Sequence, residues 1–410
     1  MKLAASLCLG FCLALGGIAQ AAAPKDLSNV RGFNYTPASV TNEALYMQYD
    51  DAEVNRDFGY ARTLGLNQVR TFARYSEWKQ DTAKFRGSFR KVMAAAKRHN
   101  LQIMFVLSPG RALIDVPATS TQAAADAEVK AWVTDLLKMA KGHKEVLAWD
   151  VANEPDWSGY SDNPQPESYR QHRMAMARKI ADIVHGFDKN NLTTVGCFRE
   201  TCMEVSEPYT DILSYHDYSP TVAEVNRYIT RAKAFAAKVH KPLVQTEVGA
   251  LGRGAPYDMA LREYRKAGIG TYIWELMITK GWGDIHGVFY PDGTVRDPVI
   301  AAAVMGIFRN QSADTRLESP DRESWVTAPL ARADTWLAAP NPDWAEGLEI
   351  AEIEANMLEG NQLIAMRVPP TRTIKLLRDG APNLPALKDA MTQYTTLLRP
   401  WIGVGKQHGN

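Results

Sequence analysis

A chain of 410 residues is far longer than a single small core requires, and with 46% hydrophobic and 23% charged residues it is globular in composition, not disordered or fibrous. The formal net charge is +1, and no basic run is interleaved with aromatics, which argues against a nucleic-acid partner and a polybasic membrane face. From the start of the chain, Met1 and Lys2 precede an apolar stretch beginning at Leu3, and Ala19-Gln20-Ala21 supplies a small-residue cleavage site. Residues 1–23 therefore read as a secretory signal peptide. Neither Cys8 nor Cys12 follows the small-residue box of a lipoprotein anchor, and no later run reaches the length of a membrane span. The mature protein is expected to be soluble and exported, secreted or periplasmic, keeping only Cys197 and Cys202. Those two either pair or remain separate thiols, and spacing alone decides neither. With so few thiolates and no paired histidine spacing, no metal and no cofactor is expected.

Residues 24–310 repeat one grammar, a short apolar run followed by a longer amphipathic segment. Eight runs read as strands: Val30 to Tyr35, Leu66 to Phe72, Leu101 to Leu107, Val146 to Asn153, Leu192 to Phe198, Ile212 to His216, Leu243 to Glu247 and Gly270 to Glu275. Between them, Thr82 to Arg98, Ala124 to Lys141, Glu167 to Val184 and Val222 to Val239 place apolar residues at helical spacing. Gly65 and Asn100 stand where C-caps are expected. Strand-helix alternation repeated eight times predicts an α/β fold, a closed (β/α)8 TIM barrel. No glycine-rich phosphate loop follows the first strand, which weighs against a doubly wound open sheet. Pro298 to Phe308 is the last barrel helix. Residues 311–410 change character and predict a small, mostly helical C-terminal appendage that covers the barrel surface or base, with Leu384 to Leu398 as one of its helices.

Two glutamates stand at the ends of buried runs, Glu154 in Asn153-Glu154-Pro155 and Glu247 in Gln245-Thr246-Glu247. Pro155 cannot donate to a ladder, so it ends its strand and leaves Glu154 at the barrel mouth. Strands four and seven are then expected to face each other across that mouth. Such a pair suits retaining glycoside cleavage, in which one carboxylic acid protonates the leaving oxygen and a carboxylate roughly 5 to 5.5 Å away attacks the anomeric carbon.

With these residues goes a wider pattern. Arg70, Asn153, Glu154, His216, Tyr218, Glu247 and Trp274 stand in the order of the strand-end residues of clan A glycoside hydrolases, and between Gly32 and Phe308 the chain resembles the cellulase-type family 5 enzymes. The resemblance implies a β-linked oligo- or polysaccharide substrate, with Glu154 as acid/base and Glu247 as nucleophile. In that scheme Arg70, closing strand two, hydrogen-bonds Glu247 and keeps it charged, and the charge on Glu247 keeps Glu154 partly protonated. Asn153 reaches the sugar 2-hydroxyl, Tyr218 donates to the nucleophile, His216 binds it or the sugar, and Trp274 stacks beneath a sugar ring.

One departure is the sequence Ser108-Pro109-Gly110, which ends strand three where the family usually has a histidine. Tyr35, Trp78, Trp157, Trp282, His286 and Tyr290, near strand ends or in the loops that follow, are further candidate sugar contacts. His216, Asp284 and His286 offer no convincing metal spacing. Two alternatives use the same residues, a transglycosylase and a barrel that binds glycans without cleaving them. Sugar identity, endo or exo action and oligomeric state are not legible, because loops set them.

Overall fold

The computed structural model describes residues 26–40, 44–114, 120–160, 163–164, 166–187, 189–279, 286–308, 322–360 and 369–401. Eight parallel strands close into a barrel in chain order: β1 (Arg31–Asn34), β2 (Gln68–Arg74), β3 (Gln102–Ser108), β4 (Val146–Asn153), β5 (Leu192–Cys197), β6 (Leu213–Asp217), β7 (Leu243–Val248) and β8 (Gly270–Ile273). β8 pairs back onto β1. Each falls on one of the eight apolar runs, with borders displaced by two residues at most.

The ring outside consists of α1 (Asp51–Thr63), α2 (Thr82–Arg98), α3 (Ser120–Ala140), α4 (Glu167–Phe187), α5 (Cys202–Ser206), α6 (Val222–Val239), α7 (Tyr257–Lys266) and α8 (Pro298–Met305). Local chemistry sets their ends. Asp50 accepts hydrogen bonds from Ala52 N and Glu53 N at the start of α1, and Thr221, which starts α6, accepts from Glu224 N while its hydroxyl donates to the Glu224 carboxylate. After α2, Asn100 takes a left-handed φ of 52°, the turn that returns the chain to β3. The inner face of α2, from Phe85 through Phe89, Val92, Met93 and Ala96, is buried against the strands.

Inside the barrel the side chains form layers. Leu27, Val30, Met104, Ala148, Ile212, Val244 and Tyr272 make an apolar floor. The Tyr272 ring lies where a Cβ on Gly32 would be, 2.1 Å from its Cδ1, so only glycine fits there. Above the floor the interior turns polar, with Arg70, Asp150, Thr194, Ser214 and Thr246 all buried. Gly196 on β5, lacking a side chain, leaves space that the Arg70 guanidinium fills. Register shifts in β4 between Asp150 and Asn153, and between β6 and β7 at Thr246, re-aim the strand ends toward the axis. The second shift sets Glu247 level with His216.

Beyond the barrel, the described residues form α9 (Arg322–Ala338), α10 (Trp344–Gly360), α11 (Pro370–Asp379) and α12 (Leu384–Leu398), around their own core of Leu330, Trp336, Ile350, Leu358, Ile374, Leu387 and Tyr394. The α10 helix packs against the Leu251–Arg253 turn that follows β7. This contact is at the mouth end of the barrel. Among the described residues, no helix is long and apolar enough to cross a membrane.

Candidate active site

Arg70 organises the mouth. It is fully buried in the middle of β2 and does not close that strand, which runs on to Arg74. Its Nε and Nη2 donate to Asp150 Oδ2 at 3.0 and 2.8 Å, Nη1 to Asn34 Oδ1 and to Glu247 Oε1 at 2.7 Å each, and Nη2 to Asn153 Oδ1 at 2.6 Å. One guanidinium thus ties β1, β4 and β7 together. Burial opposes its charge, but the two carboxylates outweigh that opposition and hold it firmly protonated.

Strand β4 ends at Asn153, and Glu154 takes a left-handed φ of 45° that turns its carboxylate out of the ladder. That turn is held on both sides. Glu154 N donates to Gly196 O at 2.6 Å, and Arg173 on α4 donates to Asn153 O at 2.8 Å. Two residues on, Asp156 accepts from Phe198 N and Arg199 N, so the loop after β5 grips the loop after β4. That loop is itself closed by a disulfide between Cys197 and Cys202, one of the two states left open by the sequence.

Glu247 accepts from Arg70 on one oxygen and from Tyr218 Oη on the other, at 2.5 Å. His216 Nδ1 sits between the carboxylates, 2.7 Å from Glu154 Oε1 and 3.3 Å from Glu247 Oε2. One oxygen of each carboxylate and a ring nitrogen of His216 lie within 4.8 Å of one another. The His216–Tyr218 segment is fixed by Asp217 between them, which accepts from Ser219 N and from Tyr264 Oη at 2.6 Å. Burial pushes the Asp217 carboxyl up from its ordinary value.

Of the residues singled out in the sequence, Arg70, Asn153, Glu154, His216, Tyr218 and Glu247 meet in this one network. Trp274 directly follows β8 and is partly exposed. Tyr35 is not at the mouth: it is 3% exposed in the core beside Phe33 and Phe58, and its hydroxyl donates to Asp57. Trp78 lies in the helical layer with its indole nitrogen on Asp135. His286 is fully buried, Tyr290 is exposed under the Arg296 guanidinium, and Trp282 and Asp284 lie outside the described residues. Ser108, Pro109 and Gly110, where a histidine was missed, line a cleft of about 270 Å³ beside Asn153, together with Trp157, Tyr169 and Arg173.

Asn34, Asp150, Arg173 and Gly196 also belong to the network, and the sequence reading passed over them. Signals for two were present: Asp150 is a charge inside an apolar run, and Gly196 is a glycine inside a strand. A charge there had to find a buried partner, and the glycine marks close approach by other groups.

A family model described as cellulase (glycosyl hydrolase family 5) matches residues 25–279. Among solved structures, the chain is similar to an exo-β-1,4-mannosidase from Opitutaceae bacterium strain TAV5, with a TM-score of 0.54 and 15% identity over 74% of this chain and 67% of that one. An endo-1,4-β-mannanase from Rhizomucor miehei matches with a TM-score of 0.52 and 16% identity over 67% of this chain and 92% of the other. A broad-specificity endoglucanase from Clostridium longisporum matches with a TM-score of 0.53 and 12% identity, over 69% and 98%. At these identities the likeness is one of fold. No curated protein matches the sequence.

Proposed function

The chain belongs to glycosyl hydrolase family 5, the cellulase family, and on that premise we propose that it cleaves β-linked glycans with net retention, with Glu154 as acid/base and Glu247 as nucleophile. The observation that carries this reading is the convergence of the two carboxylates on one ring nitrogen of His216, 2.7 Å from Glu154 Oε1 and 3.3 Å from Glu247 Oε2, which keeps their facing oxygens close together. Retaining enzymes hold the carboxyl groups roughly 5 to 5.5 Å apart, whereas inverting ones leave about 6.5 to 9.5 Å for a water.

In the first step a Glu247 oxygen bonds to the anomeric carbon as the glycosidic C–O bond breaks, and Glu154 gives its proton to the departing oxygen. In the second, Glu154 takes a proton from water, the water oxygen bonds to the same carbon, and the ester to Glu247 is released. Arg70 and Tyr218 hold Glu247 by both oxygens, which fixes its line of attack. Asn153 turns its carbonyl oxygen to Arg70, which presents its amide nitrogen to a sugar hydroxyl. His216, hydrogen-bonded to Glu154, steadies the acid/base while its proton is lost and regained. Trp274 offers a stacking face for the ring. The signal-like N-terminus supports action outside the cytoplasm, on oligo- or polysaccharide too large to enter it.

The test is a screen of purified protein against β-mannosides, β-glucosides and their polymers, with NMR of the first-formed anomer. The β-anomer is expected first, and loss of at least about 10³-fold in rate is expected for Glu247→Gln and Glu154→Ala. An α-anomer formed first, or Glu247→Gln at the parent rate, would overturn the assignment.

A further inference from the structure

One peptide unit at the mouth is gripped at both of its polar ends. It is the link between Asn153 and Glu154, whose N–H donates to Gly196 O at 2.6 Å and whose C=O accepts from Arg173 Nη2 at 2.8 Å. Each grip is itself anchored. Gly196 N donates to the buried Asp150 at 2.8 Å, so the acceptor on β5 is fixed from inside the barrel. Arg173 stands on α4, whose Met176, Ala177 and Ile180 are buried, and its guanidinium carbon lies 5.7 Å from the centre of the Tyr169 ring, one turn earlier. On the far side of Glu154, its own C=O accepts from Trp157 N at 3.1 Å and closes the turn.

The orientation of that peptide matters because of the residue it leads into. Glu154 has a φ of 45°, in the left-handed region that residues with a side chain rarely enter, and such a conformation persists only where its surroundings hold it. φ measures how the peptide plane and the Glu154 side chain are turned relative to each other, so a plane fixed at both ends fixes the direction in which the carboxyl points. Released at one end, the plane can tilt and φ relax toward the negative values a glutamate prefers. We propose that Arg173 is a positioning residue of the acid/base: by holding Asn153 O it keeps the Glu154 carboxyl turned toward the leaving oxygen, and it acts through Glu154 rather than on the sugar. A guanidinium suits the task, being planar and charged at every working pH, so its donor never switches off. An acid must lie within hydrogen-bond reach of the oxygen it serves, and a small tilt therefore costs much of its contribution. Arg173 also lines the cleft beside Asn153 with Trp157 and Tyr169, and a direct contact with the sugar there is the alternative that the experiment separates.

The inference rests on the glycosidase reading, and its test distinguishes the failure of one from that of the other. Phenyl and 2,4-dinitrophenyl β-D-mannosides and β-D-glucosides carry the same sugars, but phenolate needs the acid's proton to leave and dinitrophenolate does not. kcat/KM reports the step in which that group departs. For Arg173→Met a fall of about a hundredfold is expected with the phenyl glycosides and of about threefold or less with the dinitrophenyl ones. Arg173→Lys, which keeps an N–H donor, is expected between the parent and Arg173→Met. Equal losses on both glycosides in Arg173→Met, as a partly unfolded protein or a lost sugar contact would give, overturn the proposal. Glu154→Ala is the reference. If it too loses equally on both, the acid/base assignment fails; if it alone discriminates, that assignment stands and the role of Arg173 falls. A crystal structure of Arg173→Met reads the same point without turnover: a Glu154 carboxyl displaced by about 1 Å or more is expected, and one within about 0.5 Å of its place in the parent overturns the proposal.

Discussion

Replacing Gly196 by alanine adds one methyl group at the centre of the site. The backbone there is not left-handed, so alanine meets no conformational objection. Space is the obstacle, since a Cβ would stand 2.8 Å from Arg70 Nη2, 2.9 Å from Asp150 Oδ2 and 3.0 Å from His216 Nε2. Side-chain tips usually yield to such pressure, but here each is pinned, Arg70 to four residues and His216 to Glu154. Overpacking of this kind costs about 1–3 kcal/mol, offset by at most about 1 kcal/mol from the stiffer unfolded chain. For a barrel of this size that corresponds to a Tm lower by roughly 3–6 °C. Activity is expected to suffer more, because a shift of about 1 Å in a positioned group costs on the order of a hundredfold in rate. Thermal unfolding and kcat/KM for Gly196→Ala measure both. A variant with kcat/KM within twofold of the parent would refute the claim that this network is close-packed around Gly196.

Asp150→Asn keeps the shape but removes the charge that balances Arg70, so a loss of about 3 kcal/mol in stability and at least tenfold in kcat/KM is expected by urea unfolding and kinetics. In the appendage, burial pushes Glu354 up from 4.5 to about 9. Because the folded value is the higher one, its contribution is complete below about 4.5 and is lost as pH rises toward 9, and at pH 7 the cost is already about 3 kcal/mol. Glu354→Met is therefore expected to slow hydrogen exchange in residues 344–360 at pH 7 to 9 and to flatten its pH dependence; exchange unchanged from the parent contradicts this. Cys197→Ser with Cys202→Ser opens a short loop and is expected to cost about 2 kcal/mol in stability, with kcat falling more than KM changes because Asp156 loses its grip.

The barrel was legible because each strand is a short apolar run bounded by breakers, and parallel strands covered on both faces advertise themselves that way. Helices such as Thr82–Arg98 and Val222–Val239 were readable from apolar residues at three- and four-residue spacing, and the structure shows Asp81 and Thr221 capping them. The acid pair was legible through Pro155 and strand-end position. Less could be said where a side chain's direction depends on a bulge or on packing. Tyr35 looks like a mouth residue by position in the chain, yet Phe33, Phe58 and Asp57 draw it into the core. Arg70 looked like a strand end but works from mid-strand, its length reaching what its position does not. Asp150 was hidden because a periodicity argument counts it as an interruption, when it is the partner that lets Arg70 be buried.

The reading stands most directly on which atom carries the sugar between the two steps. Incubation with 2-deoxy-2-fluoro-β-mannosyl and β-glucosyl fluorides, followed by proteolysis and mass spectrometry, traps that bond, because the 2-fluorine slows both steps while the fluoride leaving group at C1 restores the rate of the first alone. The account predicts time-dependent inactivation with one fluoroglycosyl group on the peptide containing Glu247, and none in Glu247→Gln. A label on any other residue, or turnover of natural substrate with direct inversion, would contradict it.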